Sequence, residues 1–220
     1  LLDDLDLNIL NNLLKENQVL IIGATRFENN KYYNSLISIT KSKVNYFDKK
    51  ILVPFGEFLH LRDSLNFLER IVGPNNFSKG NEQRLINLSN NISFIPVICY
   101  EIVFYWKLLN KLNYNSNFII NITNDFWFGE YLGPYQHFYL TKIRAAEFDK
   151  PIIRVSNNGI SAIINNNGRV LYNTQLNNTE KFKHKLLFLE NNNFVDLHSI
   201  FKIYFFIIFV FIIFYYSRKN

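Results

Sequence analysis

Phe94-Ile95-Pro96-Val97-Ile98 is an unbroken apolar run of strand length, and it stops at the chain's single cysteine, Cys99, followed by Tyr100 and Glu101. An apolar-periodic segment from Ile102 to Leu112 comes next. This order predicts a buried strand, a tight turn and the first turn of a helix, with a thiol at the junction. A helix start leaves backbone N–H groups unpaired. Such groups stabilise a thiolate and can hold the oxyanion formed when that thiolate attacks a carbonyl. A small buried hydrophobe at a strand end looks the same, so this stretch alone leaves the role of Cys99 open.

At 220 residues the chain is long enough for one domain with a substantial core. Its 48% hydrophobic content, with 22 Phe and 13 Tyr, excludes a disordered chain. The formal charge is +6, but Lys and Arg are scattered and form no basic stripe interleaved with aromatics, which argues against a nucleic-acid partner. One cysteine excludes an internal disulfide, and the four His are isolated, without ligand spacing, so neither a metal nor another cofactor is expected. There is no Met, and the chain opens directly into a helical pattern, so it reads as a fragment whose N-terminal part is missing.

Leu2, Leu5, Ile9 and Leu13 share a helix-period face that ends near Asn17. Gln18 to Ile22 reads as a strand closed by Gly23, Asn34 to Thr40 as a second, and Val44 to Phe47 as its partner. Helix, strand, strand, strand is the opening of a mixed α/β layer structure. Pro54 and Gly56 then bend the backbone into a segment of helical pattern, Phe58 to Ile71, with Lys49 and Glu57 bracketing the bend. Arg84 to Leu88 and Ile92 to Ile98 form a hairpin through Asn90-Asn91. Phe118 to Ile122 is a strand that runs into the polar-aromatic loop Thr123 to Gly129. Gly133-Pro134 starts a helix that Pro151 stops. Ile152 to Val155, Ser161 to Ile164 and Val170 to Tyr172 close the domain as strands, the last two joined by the Asn166-Asn167-Gly168 turn.

The tail is different. Ile203 to Tyr216 carries no charge, and between Ser199 and Ser217 the one charged residue is Lys202. A helix of that length, at about 1.5 Å per residue, nearly crosses the ~30 Å hydrocarbon core of a bilayer. Lys202 can reach the interface, and Tyr204, Tyr215 and Tyr216 stand where an aromatic belt would be. The expected layout is therefore a catalytic domain over 1–198, a transmembrane helix over 199–217 and a short basic tail over 218–220.

With these residues set out, the chain resembles the nitrilase superfamily and, within it, the bacterial apolipoprotein N-acyltransferase family. Lys49 before Leu52-Val53-Pro54-Phe55-Gly56-Glu57, then Cys99-Tyr100-Glu101, then Asn124-Asp125-Phe126-Trp127-Phe128-Gly129 stand in the family's order. Gln136-His137, Arg144-Ala145-x-Glu147 and Asn157-Asn158-Gly159-Ile160-Ser161 follow in that order too. Each motif alone is weak; their succession over nearly the whole chain is specific.

The resemblance implies a nitrilase-like α-β-β-α sandwich and a Glu-Lys-Cys triad. Cys99 matches the nucleophile, Lys49 rather than Lys50 the triad lysine, and Glu57 a second functional glutamate. Asn34, Tyr100 and Glu101 match positions that support the site and its substrate. The general-base glutamate belongs to a Trp-Pro-Glu segment expected upstream of residue 1, so these 220 residues alone are expected to be inactive. Within the chain, Glu57 and Glu101 are the carboxylates that could stand in for it. The reaction so implied carries an acyl chain from a membrane phospholipid, through a thioester on Cys99, to the N-terminal amine of a diacylglyceryl-cysteine apolipoprotein. The implied location is the bacterial inner membrane, with the catalytic domain on the periplasmic side. A membrane-tethered amidase of the same superfamily and an inactive interaction module are the competing readings.

Overall fold

A helix and three antiparallel strands start the domain. In the computed structural model, which describes residues 4–59, 75–89, 91–110, 112–186 and 197–217, α1 (Asp4–Leu13) leads into β1 (Val19–Glu28), β2 (Lys31–Thr40) and β3 (Val44–Asp48), an antiparallel sheet in the order β1-β2-β3. The strand predicted to close at Gly23 runs on to Glu28. Glycine is there for closeness rather than termination, since a Cβ at Gly23 would lie 2.8 Å from Ile122 of the facing sheet. The β1–β2 turn is Asn29-Asn30, both at positive φ (49° and 59°), the conformation that asparagine tolerates best after glycine.

The second sheet has six strands in the order β4-β5-β6-β7-β8-β9: Ile86–Ser89, Ile92–Ile98, Phe118–Thr123, Ile152–Ser156, Ala162–Ile164 and Val170–Asn173. β5, β6 and β7 are parallel, and the outer pairs are antiparallel. Leu36 and Phe47 of the first sheet pack with Ile86, Phe94, Ile98, Phe118 and Ile120 of the second, which fills the space between the sheets. The other face of the second sheet is covered by the long helix Leu132–Phe148: its Phe138, Ala145 and Phe148 pack on Ile95, Val97, Ile119 and Ile152. The parallel strands are apolar on both faces for this reason.

The helix expected from Ile102 to Leu112 is not continuous. A 3-10 turn, Cys99–Val103, ends at Phe104 (φ −88°, ψ 63°), and one α-helical turn follows, Tyr105–Leu108, here α2. Asn113 explains the stop, because its Nδ2 donates to the Leu108 carbonyl at 2.7 Å and to the Arg84 carbonyl at 3.1 Å, a tertiary tie that competes with continued winding. Leu132–Phe148 is α3. The segment of helical pattern between Phe58 and Ile71 lies, from residue 60 on, outside the described residues.

The chain divides into two compact units, Leu1–Leu189 and Glu190–Asn220. In the second, the predicted tail helix forms as α4, Leu197–Ser217, a helix of 21 residues. Its described apolar side chains run without a break from Ile203 to Ile212 and are all exposed. Among the described residues no helix is long and apolar enough to cross a membrane.

Candidate active site

Three parallel strands end at one edge of the second sheet, and each hands its next residue to the same cavity: Cys99 after β5, Asn124 after β6 and Asn157 after β7. The facing sheet contributes Lys49, the residue after β3, and Asn34 from β2. This is where open α/β sheets place ligands, outside the carboxyl ends of the strands. The cavity measures about 910 Å³ and is also lined by Glu57 and Tyr100, with an apolar wall of Ile21, Ile22, Val53, Ile122, Trp127 and Val155.

Cys99 sits at φ +51°. A side chain with a Cβ is strained there by about 1–2 kcal/mol, and such strain collects at functional sites. The turn presents the thiol to the cavity, where Sγ makes a weak contact with the Asn124 carbonyl at 3.9 Å.

Lys49 is 1% exposed, and its Nζ lies 2.6 Å from Glu57 Oε2. Glu57 is held by three donors, since Asn34 Nδ2 reaches Oε1 and the Val53 N–H reaches Oε2, both at 2.9 Å. Asn34 also fixes the lysine from behind, its carbonyl accepting from the Lys49 N–H at 2.8 Å. A carboxylate so engaged orients the Lys49 ammonium. Among the described residues lining the cavity, Glu57 is the one carboxylate.

Lys50 points elsewhere, donating to the Glu82 carbonyl at 3.1 Å. Lys49→Ala is therefore expected to slow turnover by about 10²–10³-fold, the scale for losing one donor to a developing oxyanion. Lys50→Ala should cost only one hydrogen bond, about 0.5–1.5 kcal/mol of stability. Steady-state rates and melting curves of the two variants check this; Lys50 as the more damaging position would reverse the assignment.

Glu101, expected beside the substrate, is instead fully buried and does not line the cavity. Its Oε1 accepts from Arg84 Nη2 (2.8 Å) and from the Lys50 and Ile51 N–H groups (2.9 and 3.0 Å). Its Oε2 accepts from Arg84 Nη1 (2.9 Å) and from the Ile98 N–H (3.0 Å). One carboxylate thus ties the backbone just before Cys99 to the backbone just after Lys49. Burial pushes its proton affinity up, but Arg84 and the Ile98 and Lys50 N–H groups outweigh that and hold the carboxyl below its ordinary value. A carboxylate with these five donors is not a base. No ligand preference was visible in Arg84 from the sequence, because its partner is 17 positions away.

Asp125, His137 and Arg154 form a second buried group that sequence reasoning passed over as motif filling. Arg154 is fully buried, and its Nη2 lies 2.6 Å from Asp125 Oδ2. Asp125 Oδ1 takes His137 Nδ1 at 2.8 Å. Burial raises the Asp125 proton affinity, and His137 and Arg154 overcome it, bringing the carboxyl down to about 2. The same burial keeps His137 below its ordinary value in spite of Asp125, so the ring is neutral at pH 7.

Residues 3–181 match the family model described as carbon-nitrogen hydrolase. The chain belongs to the carbon-nitrogen hydrolase family. It is 42% identical over 175 residues to the apolipoprotein N-acyltransferase of Allorhizobium ampelinum, a match that covers 74% of this chain and 33% of that protein. It is 37% identical over 179 residues to the apolipoprotein N-acyltransferase of Rickettsia typhi, covering 78% of this chain and 36% of that one. The chain therefore spans about a third of the length of the curated relatives it matches. Among solved structures, Saccharomyces cerevisiae Nit3, of the nitrilase superfamily, superposes with a TM-score of 0.58 at 18% identity, covering 79% of this chain and 62% of that one. A glutamine-dependent NAD+ synthetase from Acinetobacter baumannii gives 0.58 at 16% identity, with 84% of this chain and 36% of that one covered. Both likenesses are of fold, and they agree with the two-sheet carbon-nitrogen hydrolase architecture described above.

Proposed function

We propose that this chain carries the catalytic thiol of an N-acyltransferase that matures bacterial lipoproteins. The observation that carries the reading is the strained Cys99 at the mouth of an apolar-walled cavity that also holds the Lys49–Glu57 ion pair. In the proposed reaction the Cys99 thiolate attacks the ester carbonyl of a phospholipid acyl chain. The oxyanion forms within reach of the Lys49 ammonium and is stabilised by it. Collapse breaks the ester C–O bond, leaves a thioester on Cys99, and releases the lysophospholipid, whose alkoxide takes up a proton. The free α-amine of a diacylglyceryl-cysteine lipoprotein then attacks the thioester, gives up a proton as the amide forms, and regenerates the thiol. The base that takes the thiol proton is assigned neither to Glu57, held by Lys49, Asn34 and the Val53 N–H, nor to Glu101, held by Arg84 and three backbone N–H groups. The apolar wall formed by Ile21, Ile22, Val53 and Ile122 suits an acyl chain, and the names of the relatives support this substrate class.

The experiment is mass spectrometry of Cys99 in the full-length protein after incubation with a phospholipid. A mass increase equal to one acyl group, discharged on adding a lipopeptide amine, is the expected result. Discharge to water alone at the same rate would favour an amidase, and absence of any adduct would sink the reading.

The α4 helix completes the proposal as a membrane anchor in the inner membrane, with the catalytic domain outside. Its whole sequence from Ile203 to Tyr216 is uncharged, although its described apolar run is shorter. Protease added to spheroplasts is expected to digest the domain; protection until lysis would place it on the cytoplasmic side.

A further inference from the structure

The Cys99 carbonyl is held by a side chain of β6. Asn121 Nδ2 faces the Val97 and Cys99 carbonyls at 3.3 and 3.5 Å. Arg154 Nη1 donates to Asn121 Oδ1 at 2.7 Å, which fixes that amide with its nitrogen towards the nucleophile's backbone. Through Nη2 the same guanidinium holds Asp125, and Asp125 holds His137. Arg154 also meets Thr141, the Ile160 carbonyl and His137 Nδ1 at 3.2, 3.1 and 3.2 Å, and Ser156 Oγ donates to Asp125 at 3.2 Å. None of Asn121, Asp125, His137 and Arg154 lines the cavity.

His137 is the member whose chemistry exceeds packing. Its ring leans on Phe128 and Tyr100, with centroids 5.2 and 6.0 Å away, a place where phenylalanine would pack as well. Yet Nδ1 meets Asp125 Oδ1 at 2.8 Å and Arg154 Nη2 at 3.2 Å, contacts that phenylalanine cannot make.

We propose that His137 is a positioning residue for Cys99: by holding Asp125 it fixes the Arg154 guanidinium that orients Asn121 on the Cys99 carbonyl. This rests on Cys99 being the reactive thiol. A left-handed non-glycine residue persists only where its surroundings over-determine it. Glu101 pins the Ile98 N–H just before the cysteine, and Asn121 holds the Cys99 carbonyl just after it.

The test reads Cys99 itself and needs no acyl transfer. Cys99 is the chain's single cysteine, so the rate of its alkylation by iodoacetamide can be followed by intact mass at pH 7.5. His137→Phe keeps the ring volume and the Asp125–Arg154 pair, and is expected to slow alkylation five- to tenfold. His137→Asn keeps a donor where Nδ1 stands and should recover to within twofold of the native rate. His137→Gln, whose amide overshoots Asp125, should not. Gly159→Ala pushes on the same group independently, because its Cβ would collide with the Asp125 carboxylate and the Ser156 hydroxyl, and it should slow alkylation as His137→Phe does. Ile164→Val, in the core under α3, lowers the melting point without touching the group and should leave the rate unchanged.

Native-rate alkylation in His137→Phe overturns the proposal, and so does equal slowing in Ile164→Val. If His137→Phe does not fold, the Asn and Gln variants decide: Asn faster than Gln supports positioning, and equal rates overturn it. Native positioning with no thioester in the phospholipid experiment would instead sink the acyltransferase reading and leave this one standing.

Discussion

Cys99→Ala in the full-length protein is expected to leave no thioester and to lower acyl transfer by roughly 10⁶-fold, the scale seen when a covalent nucleophile is removed from a hydrolase. Cys99→Ser should recover little of it. A serine hydroxyl needs a dedicated base of the histidine type, and among the described residues no imidazole lines the cavity. His137 does not line the cavity and is already bonded to Asp125. The fold should be indifferent to both changes, because Ala and Ser keep a Cβ at the same left-handed position and Sγ makes only the weak contact with Asn124. Thioester trapping and melting curves on the same preparations check the two halves. A serine variant within tenfold of the native rate would mean that a base reaches position 99 which this arrangement does not contain.

Glu101→Gln is expected to cost about 3–5 kcal/mol, because it leaves the buried Arg84 guanidinium without its counter-charge. At this chain length that is a fall of roughly 10 °C or more in melting temperature. Activity should fall with it at temperatures well below melting, since the same carboxylate joins the Ile98 N–H before Cys99 to the Lys50 and Ile51 N–H groups after Lys49.

The acid limb follows from the same groups. Glu101 and Asp125 are both depressed in the folded state, so their contributions are complete above the ordinary carboxylate range and are lost as pH falls through the folded values. For Asp125 that window runs from 3.8 down to about 2. Native stability should therefore fall gently below about pH 6.5, where the unfolded chain protonates a histidine that the fold keeps neutral at position 137, and more steeply below about pH 4.5; Glu101→Gln should show a shallower second drop because one depressed carboxyl is already gone. Denaturant midpoints measured between pH 7 and 3 give the comparison; an equally steep acid limb in the variant would mean that Glu101 does not hold its proton affinity below the unfolded value.

What the chain's order of residues determined by itself was local: the apolar run into Cys99, the strand–turn–strand opening, the helix before Pro151 and the Asn-Gly turns. Each of these rests on periodicity or turn chemistry within about ten residues, which a linear reading can see. The motif succession also drew Lys49, Glu57, Asn34, Cys99 and Tyr100 together as candidates, and all five line one cavity. Gly23 misled, because its meaning is a 2.8 Å approach to Ile122 from another sheet. The helix after Cys99 misled too, because Asn113 captures the Leu108 carbonyl and a residue far upstream.

Glu101 and Glu57 could not be told apart in the sequence, where both are acidic residues beside a motif. Tertiary structure separated them by supplying their partners. Arg84 and three backbone N–H groups seal Glu101 in the interior, while Lys49, Asn34 and the Val53 N–H hold Glu57 at the cavity wall. The Arg154–Asp125–His137 group was equally hidden, because its members come from a strand, a 3-10 turn and a helix up to 29 positions apart. Burial and charge pairing are properties of which elements meet, and three parallel strands ending at one sheet edge are what make Cys99, Asn124 and Asn157 neighbours.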